Sequence, residues 1–324
     1  MRITFLGGGT DFPEFFNKHE GATLSATINK FVYVLTNEQP AFAKDKFKFT
    51  YKKTESVDSV TKIQHPVVRK VLERMSWEMP LNIATMADLP GGNGLGSSSA
   101  FTAALIQNLN SRRSINIFGN DLARESIFVE RELLKEPGGW QDQLTTTFAG
   151  MRMYSYFGND FAPSQNSLTD VNIKYFSRRM ILIRVPSTRK GSAPAQANQT
   201  FVEKHADSSF LKDLSSQTRE VWEDINKNKS PEIQFRLLQE GINFSWTQKR
   251  NWGSHFGTNA TTTLTRKLTS LGVKNMKLVG AGGGGFFLVA EEPEIIRNIT
   301  DSLDSRLLVH FEMHSEPVRT EKYV

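Results

Sequence analysis

The 324 residues include no cysteine, which excludes disulfide frameworks, zinc–thiolate sites, iron–sulfur clusters and thiol nucleophiles together. Long apolar runs are missing too. The best candidates, Met180–Val185 and Phe286–Ala290, have the length of strands, far short of the roughly 20 residues that cross a bilayer as a helix. Met1-Arg2-Ile3-Thr4-Phe5-Leu6 runs directly into Gly7-Gly8-Gly9, too little for the apolar centre of a signal peptide. These features lead us to expect a cytoplasmic protein without membrane partners. Charge of one sign is not in large excess either. Lys+Arg 40 against Asp+Glu 34 leaves +6, which suits a small anionic ligand but falls short of the dense basic stripe of a nucleic-acid binder. With 38% hydrophobic and 23% charged residues, the chain has the balance of a folded protein, and its length admits two domains.

What the chain does have is clustered glycine. Twelve of its 23 glycines bunch at Gly7–Gly9, Gly91–Gly96 and Gly280–Gly285, and the element after each cluster decides its meaning. Alternation predicts strands at Thr27–Leu35, Phe47–Tyr51 and Leu81–Ala87, with a helix at Pro66–Met75. The second cluster follows Pro90, and helical spacing resumes over Ser98–Leu109, giving the order strand, glycine loop, helix. Asn120 or Asp121 would cap a helix reaching about Lys135, ended by Pro137-Gly138-Gly139. A polar stretch from Gly158 to Asp170 marks the expected division into residues 1–165 and 166–324. Beyond it come a strand at Arg179–Val185, helices at Ser209–Asn226, Pro231–Gln248 and Thr261–Leu271, a strand at Phe286–Val289, a helix at Pro293–Leu303 and a last strand at Leu308–His314.

Two familiar nucleotide-binding signatures fail on these glycines. Gly280, Gly282 and Gly285 spell G-x-G-x-x-G, but a strand follows where the dinucleotide fold needs a helix. Gly91 and Gly96 have P-loop spacing, but Ser97 stands where the phosphate-binding lysine belongs. Pro90 through Ala100 remains a phosphate-cradling loop on its own terms: glycines admit an anion to the backbone, the following helix offers free N–H groups, and Ser97, Ser98 and Ser99 add hydroxyls. A tight strand-to-helix turn with a serine cap is the plainer alternative.

Pro90-Gly91-Gly92-Asn93-Gly94-Leu95-Gly96-Ser97-Ser98-Ser99-Ala100 resembles the P-x-x-x-G-L-G-S-S-A-A motif of the GHMP kinases, with Ser99 in an alanine position. Three further blocks agree in order. Arg2 to Phe12 resembles the first motif in the variant of the heptose 7-phosphate branch, Gly139-Trp140-Gln141-Asp142-Gln143 resembles a segment of the sugar-phosphate kinases, and Lys277 to Phe286 resembles the third motif. Thr188-Arg189 and Trp246 to Arg250 are similar to further family positions.

The resemblance implies an α+β fold of two domains, the first like domain 2 of ribosomal protein S5 and the second ferredoxin-like, with the active site between them. It implies ATP and Mg2+ as cofactors, a sugar phosphate as acceptor and phosphorylation of its anomeric hydroxyl, and it is compatible with a homodimer. Pro90, Gly91, Gly92, Gly94, Leu95, Gly96, Ser97, Ser98 and Ser99 would hold the nucleotide phosphates. Ser98 and Glu130 match the family's magnesium-associated serine and glutamate. Asp142, twelve residues after Glu130, matches its catalytic aspartate, where capping of a helix near Gln143 is the plainer role. Arg2, Gly8, Gly9, Thr10 and Asp11 would face the sugar, while Gly282, Gly283 and Gly284 would close over the substrate. Arg189 and Lys190 are candidates for the substrate's own phosphate, although a surface basic pair explains them equally.

Other signals are read as structure. His310 and His314 fall on the polar side of the last expected strand, and the basic-aromatic mixture from Phe42 to Lys53 is a strand with a wet face. A nucleotide- and sugar-binding sensor would not need the magnesium and acceptor positions that are all present here.

Overall fold

The computed structural model describes residues 1–40, 42–185, 193–250, 252 and 257–322. The first half contains β1 (Arg2–Leu6), α1 (Pro13–Phe16), β2 (Gly21–Thr27), β3 (Val32–Glu38), β4 (Phe47–Thr50), β5 (Thr54–Val57), α2 (Pro66–Arg74), β6 (Leu81–Ala87), α3 (Ser97–Arg112), α4 (Gly119–Ile127), α5 (Gln141–Phe148), β7 (Met151–Phe157) and β8 (Asp160–Pro163). The second half contains α6 (Asp170–Ser177), β9 (Met180–Val185), α7 (Ala193–His205), α8 (Ser209–Lys227), α9 (Pro231–Arg250), α10 (Asn259–Ser270), β10 (Met276–Val279), β11 (Gly285–Ala290), α11 (Pro293–Ser302) and β12 (Leu308–Val309). Among the described residues no helix is long and apolar enough to cross a membrane.

Among the described residues three four-stranded sheets result. Their orders are β1-β2-β7-β8, β3-β6-β4-β5 and β10-β11-β9-β12. The last is antiparallel throughout, with helices inserted between β9 and β10 and between β11 and β12, which is ferredoxin-like topology. A division at 165/166 leaves two sheets before it and one after, yet the apolar core does not divide there. Ile3, Phe5 and Leu6 of β1 pack with Trp222 of α8, with Phe235, Leu238 and Ile242 of α9, and with Phe286 and Leu288 of β11.

Several elements differ from the pattern reading, each for a local reason. The expected strand Thr27–Leu35 is broken between β2 and β3, which belong to different sheets. At the crossing, the amino terminus of Met1 donates to Lys30 O at 2.6 Å, and Phe31 N donates to the Asp88 carboxylate at 2.7 Å. The helix expected from Asn120 or Asp121 starts at Gly119, after an extended Phe118, and widens into a π turn over Phe128–Leu133. In the polar stretch, Gly158 is part of the turn from β7 to β8. The last expected strand is formed only at Leu308–Val309. Phe311 and Met313 are buried as the alternation requires, but Met313 forms an isolated bridge with Ile28 of the first half, so this segment leaves the sheet of β12 and turns to the other half.

Candidate active site

The second glycine run joins β6 to α3. Gly92, Gly94 and Gly96 have φ of 78°, 74° and 67°, a left-handed backbone that favours glycine, and Gly96 is the N-cap of α3. Asn93 Nδ2 donates to Pro90 O at 2.6 Å, and Leu95 is buried as an anchor. Gly91 and Gly92 are exposed, leaving the outer part of the loop open beside the free N–H groups of α3. Ser97 is half-buried and Ser98 exposed on the first helical turn, whereas Ser99 points inward.

The third run packs directly on the second. A Cβ at Gly280 would lie 2.5 Å from Gly94 Cα, so no side chain fits between these backbones. A Cβ at Gly285 would lie 2.6 Å from Asn93 O. Gly282, Gly283 and Gly284 also have positive φ, and Asn198 Nδ2 holds the loop through Ala281 O at 3.1 Å. The structure therefore brings together runs that are separated by nearly 190 residues in the chain.

Arg2 ties this junction to the candidate acid. Its guanidinium donates to Asp142 Oδ1 through Nε at 2.8 Å and Nη2 at 2.5 Å, and to Gly94 O through Nη1 at 2.7 Å. Its backbone N donates to Leu95 O at 2.9 Å. Arg2 is almost fully buried, while the Asp142 side chain keeps 29% of its exposure. Asp142 lies in the first turn of α5 and is not the cap of that helix, which begins at Gln141.

Asp11 serves that helix end instead. Its Oδ2 accepts Gln141 N at 3.2 Å, its Oδ1 accepts Gly9 N at 2.8 Å, and its backbone O accepts Trp140 N at 3.0 Å. Burial raises its pKa above the ordinary carboxyl value, against the pull of these backbone donors. Gly139 must be glycine here, since a Cβ would lie 1.9 Å from Asp11 Oδ2. Arg131 sets the turn, donating to Glu136 O and Gly139 O, each at 2.5 Å. Thr10 is fully buried, its hydroxyl between Gly7 O and Ala22 O. Both Thr10 and Asp11 thus hold backbone in place, and Gly9 is covered by the Trp252 ring.

Glu130 occupies the π turn and is buried. Its oxygens accept from Ser99 Oγ at 2.8 Å, from Thr102 Oγ1 at 2.7 Å and from Gln143 Nε2. The direct partner among the serines is therefore Ser99, the neighbour of Ser98. Burial raises the pKa of Glu130, opposed by these donors and by Arg131. Arg189 and Lys190 lie outside the described residues.

Two cations were not among the expected site residues. Lys249, near the end of α9, is buried with its ammonium 3.3 Å from Gly280 O, and burial lowers its pKa to about 8. Lys277 in β10 is also buried, donating to Phe5 O at 2.6 Å and Ser245 Oγ at 3.1 Å, and its pKa is pushed well down by burial and by Lys249 and Arg2. A signal existed for the first: Gly241, Ser245 and Lys249 repeat at four residues along the buried stripe of α9.

A family model described as GHMP kinases N terminal domain matches residues 61–150, which hold the glycine cradle, Glu130 and Asp142. Residues 61–150 thus carry the N-terminal domain of the GHMP kinases. The Campylobacter jejuni D-glycero-alpha-D-manno-heptose 7-phosphate kinase is 22% identical, over 94% of this chain and 91% of that relative. The L-fucokinase/L-fucose-1-P guanylyltransferase of Bacteroides fragilis is 23% identical over 66% of this chain but only 22% of its own length. Among solved structures, a D-glycero-D-manno-heptose 1-phosphate kinase from Bacteroides thetaiotaomicron superposes with a TM-score of 0.78 at 17% identity, covering 100% of this chain and 98% of that one. Methanococcus jannaschii mevalonate kinase gives 0.68 at 14% identity, covering 97% and 96%. The α+β GHMP kinase fold thus extends over the whole chain. GHMP kinases are phosphotransferases that use ATP, generally with Mg2+.

Proposed function

We propose that this GHMP kinase transfers the γ-phosphoryl group of ATP to the anomeric hydroxyl of a sugar phosphate, with D-glycero-D-manno-heptose 7-phosphate as the first candidate. The observation that carries the reading is the Arg2 guanidinium, which bonds Asp142 and Gly94 O at once and so fixes the acid against the phosphate loop. Phosphoryl transfer asks mainly for positioning and for charge stabilisation, and this site supplies both.

In this reading residues 1–165 carry the nucleotide cradle and 166–324 carry the closing glycine loop. Gly91, Gly92, Gly94 and the N–H groups of Ser97 and Ser98 receive the nucleotide phosphates. Asp142, partly exposed, orients the acceptor hydroxyl and takes its proton. Gly8 and Gly9, held by Thr10 and Asp11, form the sugar side, and Gly282, Gly283 and Gly284 cover the substrate. Arg189 and Lys190 are assigned to the phosphate already on the sugar.

The oxygens of Ser98 and Glu130 suit Mg2+ in hardness, and the Ser99 bond keeps Glu130 one residue from Ser98. Mg2+ would be held mainly by phosphate oxygens and water with these two side chains, and contact at Glu130 requires exchange of one of its hydrogen bonds. When bound, the ion neutralises charge on the phosphates.

The fucokinase relative favours a second reading, in which the acceptor is a free sugar. An ADP-release screen over free sugars and sugar phosphates, with phosphorus NMR of the product, tests both. Turnover of a heptose 7-phosphate with a new anomeric phosphate is expected; release only with unphosphorylated sugars rejects the first reading, and no release across the panel rejects kinase function.

A further inference from the structure

Lys249 enters the site from the second half of the molecule, on the last turn of α9. Its ammonium bonds Gly280 O, and Gly280 lies backbone to backbone on Gly94 of the cradle. On its other side it would lie 3.4 Å from a Cβ at Gly8, with the Gln141 side-chain amide 3.6 Å from the same point. Lys249 thus stands at the seam between the loop that would hold the donor and the loop that would hold the acceptor. The charged groups that act on it are Arg2 from β1, Asp11 from the loop after β1, Asp142 from α5 and Lys277 from β10. Arg2 is already committed, with Nε and Nη2 on Asp142 and Nη1 on Gly94 O.

We propose that the Lys249 ammonium is the catalytic cation that meets the phosphoryl group as it passes from nucleotide to acceptor. The inference rests on the phosphotransfer reading above. In the step itself, the acceptor oxygen bonds to the γ-phosphorus while the bond from that phosphorus to the β,γ-bridging oxygen breaks. The electron pair leaves on ADP, the hydroxyl proton passes to Asp142, and Lys249 remains protonated throughout. A cation placed there counters the charge spread over the equatorial oxygens, where a buried site strengthens it. Burial lowers the pKa of Lys249 to about 8, so the cation is present at neutral pH and lost above it.

The test compares binding of Mg·ADP and of the magnesium complex of β,γ-imido-ATP by calorimetry, which needs no sugar. Lys249→Met is expected to weaken the triphosphate analogue at least about tenfold while ADP changes less than about twofold. For the unaltered protein, raising the pH from 7 to 9 is expected to weaken the analogue about fivefold or more with ADP little affected, a readout that stands even if the variant fails to fold. Lys249→Arg, which keeps its charge, is expected to remove most of that pH dependence and the decline of kcat/KM above about pH 8. Equal losses for both nucleotides, or no loss for either, overturn the proposal. If the unaltered protein phosphorylates no sugar, the kinase reading fails, while the nucleotide comparison still decides whether Lys249 meets the terminal phosphate.

Discussion

Asp11 and Asp142 meet at the same end of α5 but hold opposite kinds of position. Asp11 is fully buried, its oxygens taken by backbone N–H groups, whereas Asp142 is partly exposed and bonded to a guanidinium that also touches the phosphate loop. The first carboxyl builds the helix end and the second is presented from it. In the proposed reaction the second must be placed within fractions of an ångström, and the first, with Gly139 packed against it, fixes the helix end that carries it.

Substitution at each position should separate the two. Asp142→Asn keeps size and most hydrogen bonding, so kcat should fall roughly 10²- to 10⁴-fold with ADP affinity and melting temperature little changed; a near-normal rate would remove Asp142 from the chemistry. Asp11→Ala leaves two buried donors unpaired and should cost about 2–5 kcal/mol in a denaturation experiment, with activity lost in step with folding. A stable Asp11→Ala protein that merely binds sugar poorly would break the contrast. Gly139→Ala forces apart atoms now in contact and should cost about 1–3 kcal/mol and lower kcat without touching either acid.

The smallest effect is one of pH. Because the pKa of Asp11 is raised in the folded protein, its neutral form is favoured there. Its contribution to stability is complete below the ordinary aspartate value and is lost as pH rises through the higher folded value. Urea midpoints measured through that window should fall with pH for the unaltered protein and fall less for Asp11→Asn. Identical slopes would mean that Asp11 is ionised in the folded state.

The legible part of this site was local. The order of β6, glycine loop and α3 can be read from alternation, Pro90 and helical spacing, and the strand after Gly285 separates the third run from a dinucleotide site. What could not be read was the pairing between distant residues. Nothing near Arg2 announces a partner 140 residues away, and nothing near Asp11 announces that it closes α5. Lys249 and Lys277 fall in blocks similar to family positions, but nothing local announces that tertiary packing buries both cations. The last strand failed for a related reason: alternation specified which side chains are buried, but not that Phe311 and Met313 turn toward the first half.

That turn has a mechanical consequence. Asn29 N donates to Glu312 O at 2.9 Å, Gly150 N to His314 O at 2.9 Å and Gln107 Nε2 to Val318 O at 3.1 Å, so the chain is fastened to the first half again after building the second. The halves, already joined through the core shared by β1, α8, α9 and β11, are therefore closed a second time by the returning chain. Residues near the very end of the described chain thus bear on the placement of β2 and α3, far from them in sequence.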